Sequence, residues 1–133
     1  MNVLVDTPIW SAAFRRRAAV SGSSAAALRV LIEEGRAAIV GPIRQEILSG
    51  IRERSAFERL RDHLSAFPDE PIATVDYVRA AEHFTACRAR GIQGSNTDFL
   101  LCAIAERRRM AIFTADADFR RFARVLPIAL YEA

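Results

Sequence analysis

Asn2-Val3-Leu4-Val5-Asp6-Thr7-Pro8-Ile9-Trp10 reads as a short buried strand, an acid at its end, and the first turn of a helix. The run over residues 2–5 is apolar and stopped at once by Asp6, the pattern of a strand covered on both faces. Pro8 then sits where a helix tolerates proline, because first-turn N–H groups have no partner inside the helix. Two further stretches repeat this order. Residues 37–40 form an apolar run before Gly41-Pro42 and a helix with Ile43, Ile47 and Ile51 on one stripe. Residues 110–113 form another, followed by Thr114-Ala115-Asp116-Ala117-Asp118 and a short helix over 118–124. A last strand is expected over 128–130.

The segments between them are mostly helical. Ser23 or Ser24 is placed to cap a helix running to Ile32, which Gly35 stops. Residues 55–67 are amphipathic, with Phe57, Leu60, Leu64 and Phe67 at helical spacing. Pro68 and Pro71 bracket a turn, residues 72–74 read as a very short strand, and 76–90 form a helix ending at Gly91. Gly94-Ser95-Asn96 is a loop before a helix over 97–107 that is apolar nearly all round. Residues 15–22 are basic, small and aperiodic, the pattern of an exposed loop or frayed helix end. Strands alternating with helices define an α/β fold with a mainly parallel central sheet. With 133 residues, no internal repeat and no linker, one domain over 1–133 is expected.

All 19 basic residues are arginine, set against 16 acids for a formal net charge of +3. The absence of lysine excludes a P-loop nucleotide site, which needs its Gly-Lys-Ser/Thr lysine, and it excludes Schiff-base catalysis. A phosphorylated receiver domain, which also opens on a strand ending in Asp, loses its usual lysine in the same way. Arginine grips phosphate bidentately, and it clusters at Arg15-Arg16-Arg17, Arg107-Arg108-Arg109 and Arg120-Arg121 with Arg124. Such clusters also form ordinary solvated helix faces, so the basicity permits a nucleic-acid partner without requiring one. No apolar run approaches the roughly 18 residues that span a bilayer, and the N-terminus lacks the basic region of a signal peptide. Cys87 and Cys102 lie in helical patterns with no close-spaced partner and read as reduced thiols. A cytoplasmic protein with no membrane association is therefore expected.

In an open parallel sheet, ligands bind beyond the carboxyl ends of the strands. Asp6 falls just past the first strand, and Asp116 and Asp118 just past the strand over 110–113. Glu46 follows the second strand by one to two helical turns, about 60° from the Ile43/Ile47 stripe at about 100° per residue. Asp98 leads the apolar helix, where Ser95-Asn96-Thr97-Asp98 also matches a capping box. Each acid has a local alternative as a cap or a solvated side chain. Jointly those alternatives are weaker, since the acids still fall at one sheet edge. Convergent carboxylates suit a hard divalent cation such as Mg²⁺ or Mn²⁺. His63 and His83 lie on helices away from these acids and read as surface or boundary residues, and Trp10 reads as core.

Four segments together resemble the PIN-domain nucleases. Val3-Leu4-Val5-Asp6-Thr7-Pro8-Ile9-Trp10 is similar to the family's opening, and residues 42–50 to its central glutamate helix. Asn96-Thr97-Asp98-Phe99-Leu100-Leu101-Cys102-Ala103 resembles the third acidic segment, and Thr114-Ala115-Asp116-Ala117-Asp118-Phe119 the C-terminal signature. Size and opening look most like the VapC-type toxins of type II toxin–antitoxin pairs. The resemblance implies a three-layer α/β/α fold and Mg²⁺-dependent endoribonuclease activity, with Mn²⁺ able to substitute and a metal-activated water cutting RNA phosphodiesters. It also implies a homodimer and a cognate small antitoxin as partner. It carries over Asp6, Glu46, Asp98 and Asp116 as catalytic, metal-binding acids. Asp118 joins them as an auxiliary metal ligand, and Thr114 supports by positioning a ligand or a water. Residues 15–24 match no motif of the family.

Two neighbouring readings stand beside this one: an RNA-processing nuclease of the same fold without a toxin role, and a non-cleaving module that binds RNA or a partner. An Asp-x-Asp transferase built on Asp116 and Asp118 leaves Asp6, Glu46 and Asp98 unexplained.

Overall fold

Val3, Leu4 and Val5 have no exposed surface, and they form a central strand, β1 (Val3–Val5), of a parallel four-stranded sheet. β2 (Ala37–Ala38) pairs on one side of β1 and β3 (Ala111–Phe113) on the other, with β4 (Ala129–Leu130) outside β3. Val3 stands opposite both Ala37 and Ala111, while Val5 stands opposite Phe113. Ile112 pairs with Leu130. This register brings β1 and β3 to an end at the same level, and the Asp6 N–H continues the ladder by donating to the Phe113 carbonyl at 2.9 Å. Whatever follows β1 and β3 therefore emerges side by side.

The computed structural model describes residues 1–14 and 22–133. Seven helices occur among them: α1 (Thr7–Phe14), α2 (Ser23–Glu33), α3 (Gly41–Ser49), α4 (Arg54–Leu64), α5 (Thr74–Ala89), α6 (Asn96–Arg108) and α7 (Asp118–Phe122). They flank the sheet as a three-layer α/β/α sandwich, α1 packing on α2 and α3, and α5 on α6. The expected Arg15-Arg16-Arg17 cluster and most of the loop expected over 15–22 lie outside the described residues. Among the described residues no helix is long and apolar enough to cross a membrane.

Several local expectations change. Residues 72–74 are not a strand: Asp76 accepts from the Ala73 N–H at 2.9 Å and starts α5 already at Thr74. The sheet's extra bridge lies earlier, between Ile39 and Asp69. Neither Ser23 nor Ser24 caps α2; Gly22 does, at φ 68°, without a side-chain bond. Glu53 caps α4 through the N–H groups of Ser55 and Ala56. Ile51 and Phe67 fall beyond the ends of their helices, although both still pack against the core.

Trp10 is core as expected, its indole N–H donating to the Val5 carbonyl at 3.0 Å. His83 is not a surface or boundary residue. It is 2% exposed, with Nε2 2.8 Å from Glu106 Oε1, because α5 packs its face directly on α6. Two arginines of the Arg107-Arg108-Arg109 cluster are engaged by the fold. Arg107 pairs with buried Asp76 at 2.6 and 2.7 Å, and Arg108 with Glu70 at 3.0 Å.

Candidate active site

Asp6 leaves the end of β1 and is held from two sides. Its Oδ1 accepts from the Thr7 N–H at 2.8 Å and its Oδ2 from the Thr114 hydroxyl at 2.8 Å. Thr114 follows β3, so this bond ties the ends of the two strands together through side chains. The same hydroxyl accepts from the Asp116 N–H at 3.0 Å, and Asp116 Oδ1 in turn accepts from the Asp118 N–H at 2.9 Å. Asp6, Thr114, Asp116 and Asp118 thus form one hydrogen-bonded chain along the sheet edge. Asp118 also meets Arg121 at 2.5 Å, one helical turn on.

Glu46 stands on the exposed side of α3, where its Oε1 accepts from the Thr7 hydroxyl at 3.0 Å. Thr7 is therefore shared: its backbone serves Asp6 and its side chain serves Glu46. Asp98 occupies the first turn of α6 in a reciprocal capping box, each of Ser95 and Asp98 donating an N–H to the other's side chain at 3.1 Å. The capping expectation for Asp98 and its place among the acids are compatible, since the Asp98 carboxylate has lone pairs beyond the one Ser95 uses.

The electrostatics locate the acids relative to one another. Burial lifts the Asp6 carboxyl above the usual carboxylate range, the Thr114 and Thr7 bonds oppose this, and the charges of Asp98 and Glu46 lift it further. Burial likewise lifts Asp98, against the bonds from Ser95, and Asp116 and Asp118 add to the rise. Beneath them Cys102, one turn past Asp98 on α6, is pushed far up by burial and then by the Asp98 charge, so it stays a neutral thiol. Asp6 thus lies within electrostatic reach of Asp98 and Glu46, and Asp98 within reach of Asp116 and Asp118.

Oxygen donors of this kind fit a hard cation. Among the described residues no three acids, histidines or thiols are gathered tightly enough to enclose an ion unaided. A groove of about 610 Å³ runs beside Glu46, lined also by Thr7, Pro42, Gln45, Ser49, Gly50 and Thr97. A second cavity of about 420 Å³ opens on the other flank, at Thr114 and Asp116.

Sequence reasoning points to Asp6, Glu46, Asp98, Asp116, Asp118 and Thr114, and not to Glu132, which lines the second cavity with Asp116. It missed the side chain of Thr7 as the link to Glu46, and its only available signal was the position of Thr7 directly after Asp6.

Comparison with known proteins agrees with this architecture. Residues 3–125 match the PIN domain. A VapC ribonuclease of Mycobacterium bovis is 34% identical over 128 residues, covering 92% of each chain. VapBC2 of Rickettsia felis, solved bound to a DNA fragment from their promoter, superposes with a TM-score of 0.78 at 19% identity, over 98% of each chain. A toxin–antitoxin complex from Klebsiella pneumoniae superposes with a TM-score of 0.62 at 22% identity, over 89% of this chain and 90% of the other. The two structures share the fold, the VapC relative shares sequence over nearly all of it, and the chain belongs to the PIN-domain family.

Proposed function

We propose that this protein is an Mg²⁺-dependent endoribonuclease, served also by Mn²⁺, and the toxin of a toxin–antitoxin pair. One observation carries the reading: Asp6, Glu46, Asp98 and Asp116 come from four distant segments yet are linked through Thr7 and Thr114 or through mutual charge. Nothing in folding alone calls for this collection, which leaves like charges close together. The 34% identical relative is named a ribonuclease, and one structural neighbour is named a toxin–antitoxin complex.

On this reading Asp6, Glu46, Asp98 and Asp116 hold the ion, with Asp118 in support. A divalent ion supplies charge neutralisation and a more acidic water for attack on phosphorus when bound. Thr114 fixes the carboxylate of Asp6 and the backbone of Asp116 in one geometry, and Thr7 does the same for Asp6 and Glu46. No side chain of the site is needed as a separate base, and His83 is occupied with Glu106. A cognate antitoxin covers the site in the resting cell.

A homodimer is part of the same proposal. Val75 and Val78 lie one helical turn apart at the start of α5 with exposures of 60% and 58%, apolar side chains beside the paired charges of Arg79 with Glu106 and Arg107 with Asp76. Light scattering should give a dimer for the wild type and a monomer for Val78→Asp. A wild-type monomer would sink that part alone.

Incubating single-stranded RNA with Mg²⁺ or Mn²⁺ tests the activity. The wild type should cut it, whereas EDTA, Asp6→Ala and Asp98→Ala should each abolish cutting. Equal cleavage by all three proteins, or cleavage persisting in EDTA, refutes the assignment.

A further inference from the structure

The roughly 420 Å³ cavity at the carboxyl ends of β3 and β4 is lined by Thr114, Asp116, Arg120, Tyr131 and Glu132, among others. Thr114 and Asp116 belong to the acid chain, but Arg120, Tyr131 and Glu132 have no part in it. Resting on the ribonuclease reading, we infer that this cavity is a subsite for one unpaired nucleoside of the RNA beside the cut bond. Tyr131 is its stacking surface and Arg120 the grip on the neighbouring phosphate.

Size comes first: the volume lies within the roughly 300–1,000 Å³ range of small-ligand sites. Tyr131 is anchored twice over. Its N–H donates to the Ile112 carbonyl at 2.8 Å, and its ring packs on Phe113 with centroids 5.2 Å apart at 55°. A half-buried ring already fixed in place loses little freedom when a base settles on it. An aromatic ring beside an arginine is the pairing that single-stranded RNA recognition uses, one for the base face and one for the backbone. Arg121 is tied to Asp118, whereas Arg120 is turned to the cavity.

The other lining groups narrow the occupant. Asp116 and Glu132 disfavour a free anion lodged there, but their oxygens accept from amino and hydroxyl groups, which a nucleoside carries. A base inside a duplex has no free face to offer, so the cavity selects unpaired RNA.

Fluorescence anisotropy in EDTA, with a short labelled single-stranded RNA as the probe, tests this without any cutting. Tyr131→Ala should weaken binding by about 5- to 100-fold, with Tyr131→Phe close to wild type. Arg120→Ala should weaken binding and flatten its salt dependence. Because Tyr131 packs on Phe113, a second measurement uses intact protein: RNAs carrying an abasic nucleotide at successive positions. One position should cost wild type a comparable factor and cost Tyr131→Ala nothing more. Unchanged binding by Tyr131→Ala, or losses from base removal and from Tyr131→Ala that simply multiply, overturns the subsite. Wild type that cuts RNA while Tyr131→Ala binds normally removes the subsite and keeps the ribonuclease. Tyr131-dependent, base-coupled binding without Mg²⁺-dependent cutting does the reverse.

Discussion

Thr114 joins two of the acids, because one hydroxyl donates to Asp6 and accepts from the Asp116 backbone N–H. Thr114→Val keeps the shape and removes both bonds. RNA cleavage should fall by about 10- to 100-fold, the usual cost of losing a group that orients metal ligands, while the fold is retained by circular dichroism. Unaltered cleavage would mean that Asp6 is positioned by its surroundings alone. Asp6 itself makes a prediction about pH. Its carboxyl is raised in the folded state, mainly by burial. As pH rises through the ordinary carboxylate range the unfolded chain ionises first, so the ion-free fold loses stability that was fully present in acid. Asp6→Asn removes that loss. In EDTA, the melting temperature of Asp6→Asn relative to wild type should climb between acidic and neutral pH, and a constant difference would contradict the burial of a charge. At this scale the acids were legible in the sequence and their partners were not. Thr7 and Glu46 are 39 residues apart, and Thr114 and Asp6 are 108 apart, so only the folded register brings them together.

Among the elements, α6 sets Asp98 in place, and the loop before it depends on a glycine for lack of space. A Cβ on Gly94 would stand 2.6 Å from Phe122 Cζ and 3.0 Å from the Phe99 ring. Phe122 and Phe99 are 0% and 1% exposed and cannot move into solvent. Gly94→Ala should therefore destabilise the protein by about 1–3 kcal/mol in chemical denaturation, the range for overpacking a core. A neutral result would show that the loop has slack. In the sequence Gly94 is ordinary loop punctuation, because crowding by rings 5 and 28 residues further on leaves no local mark. The sequence pattern placed the interior of each helix well, where apolar spacing repeats, and erred at ends decided by single bonds. Asp76 starts α5 early by accepting from Ala73, and Gly22, not Ser23 or Ser24, stands at the N-cap of α2. His83 was misjudged for a related reason. Its burial follows from the packing of α5 on α6, which the weak amphipathicity of those helices does not announce.

For the molecule as a whole, the alternation of apolar runs and helices sufficed to give an α/β protein with a parallel sheet, and the acids just after those runs gave the edge that matters. Strand order did not follow from the pattern. That β1 lies between β2 and β3 is what brings Asp6 beside Thr114, and it depends on which runs pair across a crossover. The arginine-only charge was also ambiguous: some arginines serve the fold, as Arg107 does with Asp76, while Arg120 faces a cavity beside the acids. The central claim is that carboxylates from four segments hold one divalent site. Calorimetric titration of the RNA-free protein with Mn²⁺ tests it most directly. Wild type should bind Mn²⁺, with affinity lowered at least about 10-fold in each of Asp6→Asn, Asp98→Asn and Asp116→Asn, and unchanged in Arg120→Ala. Binding that survives all three acid substitutions would contradict the account.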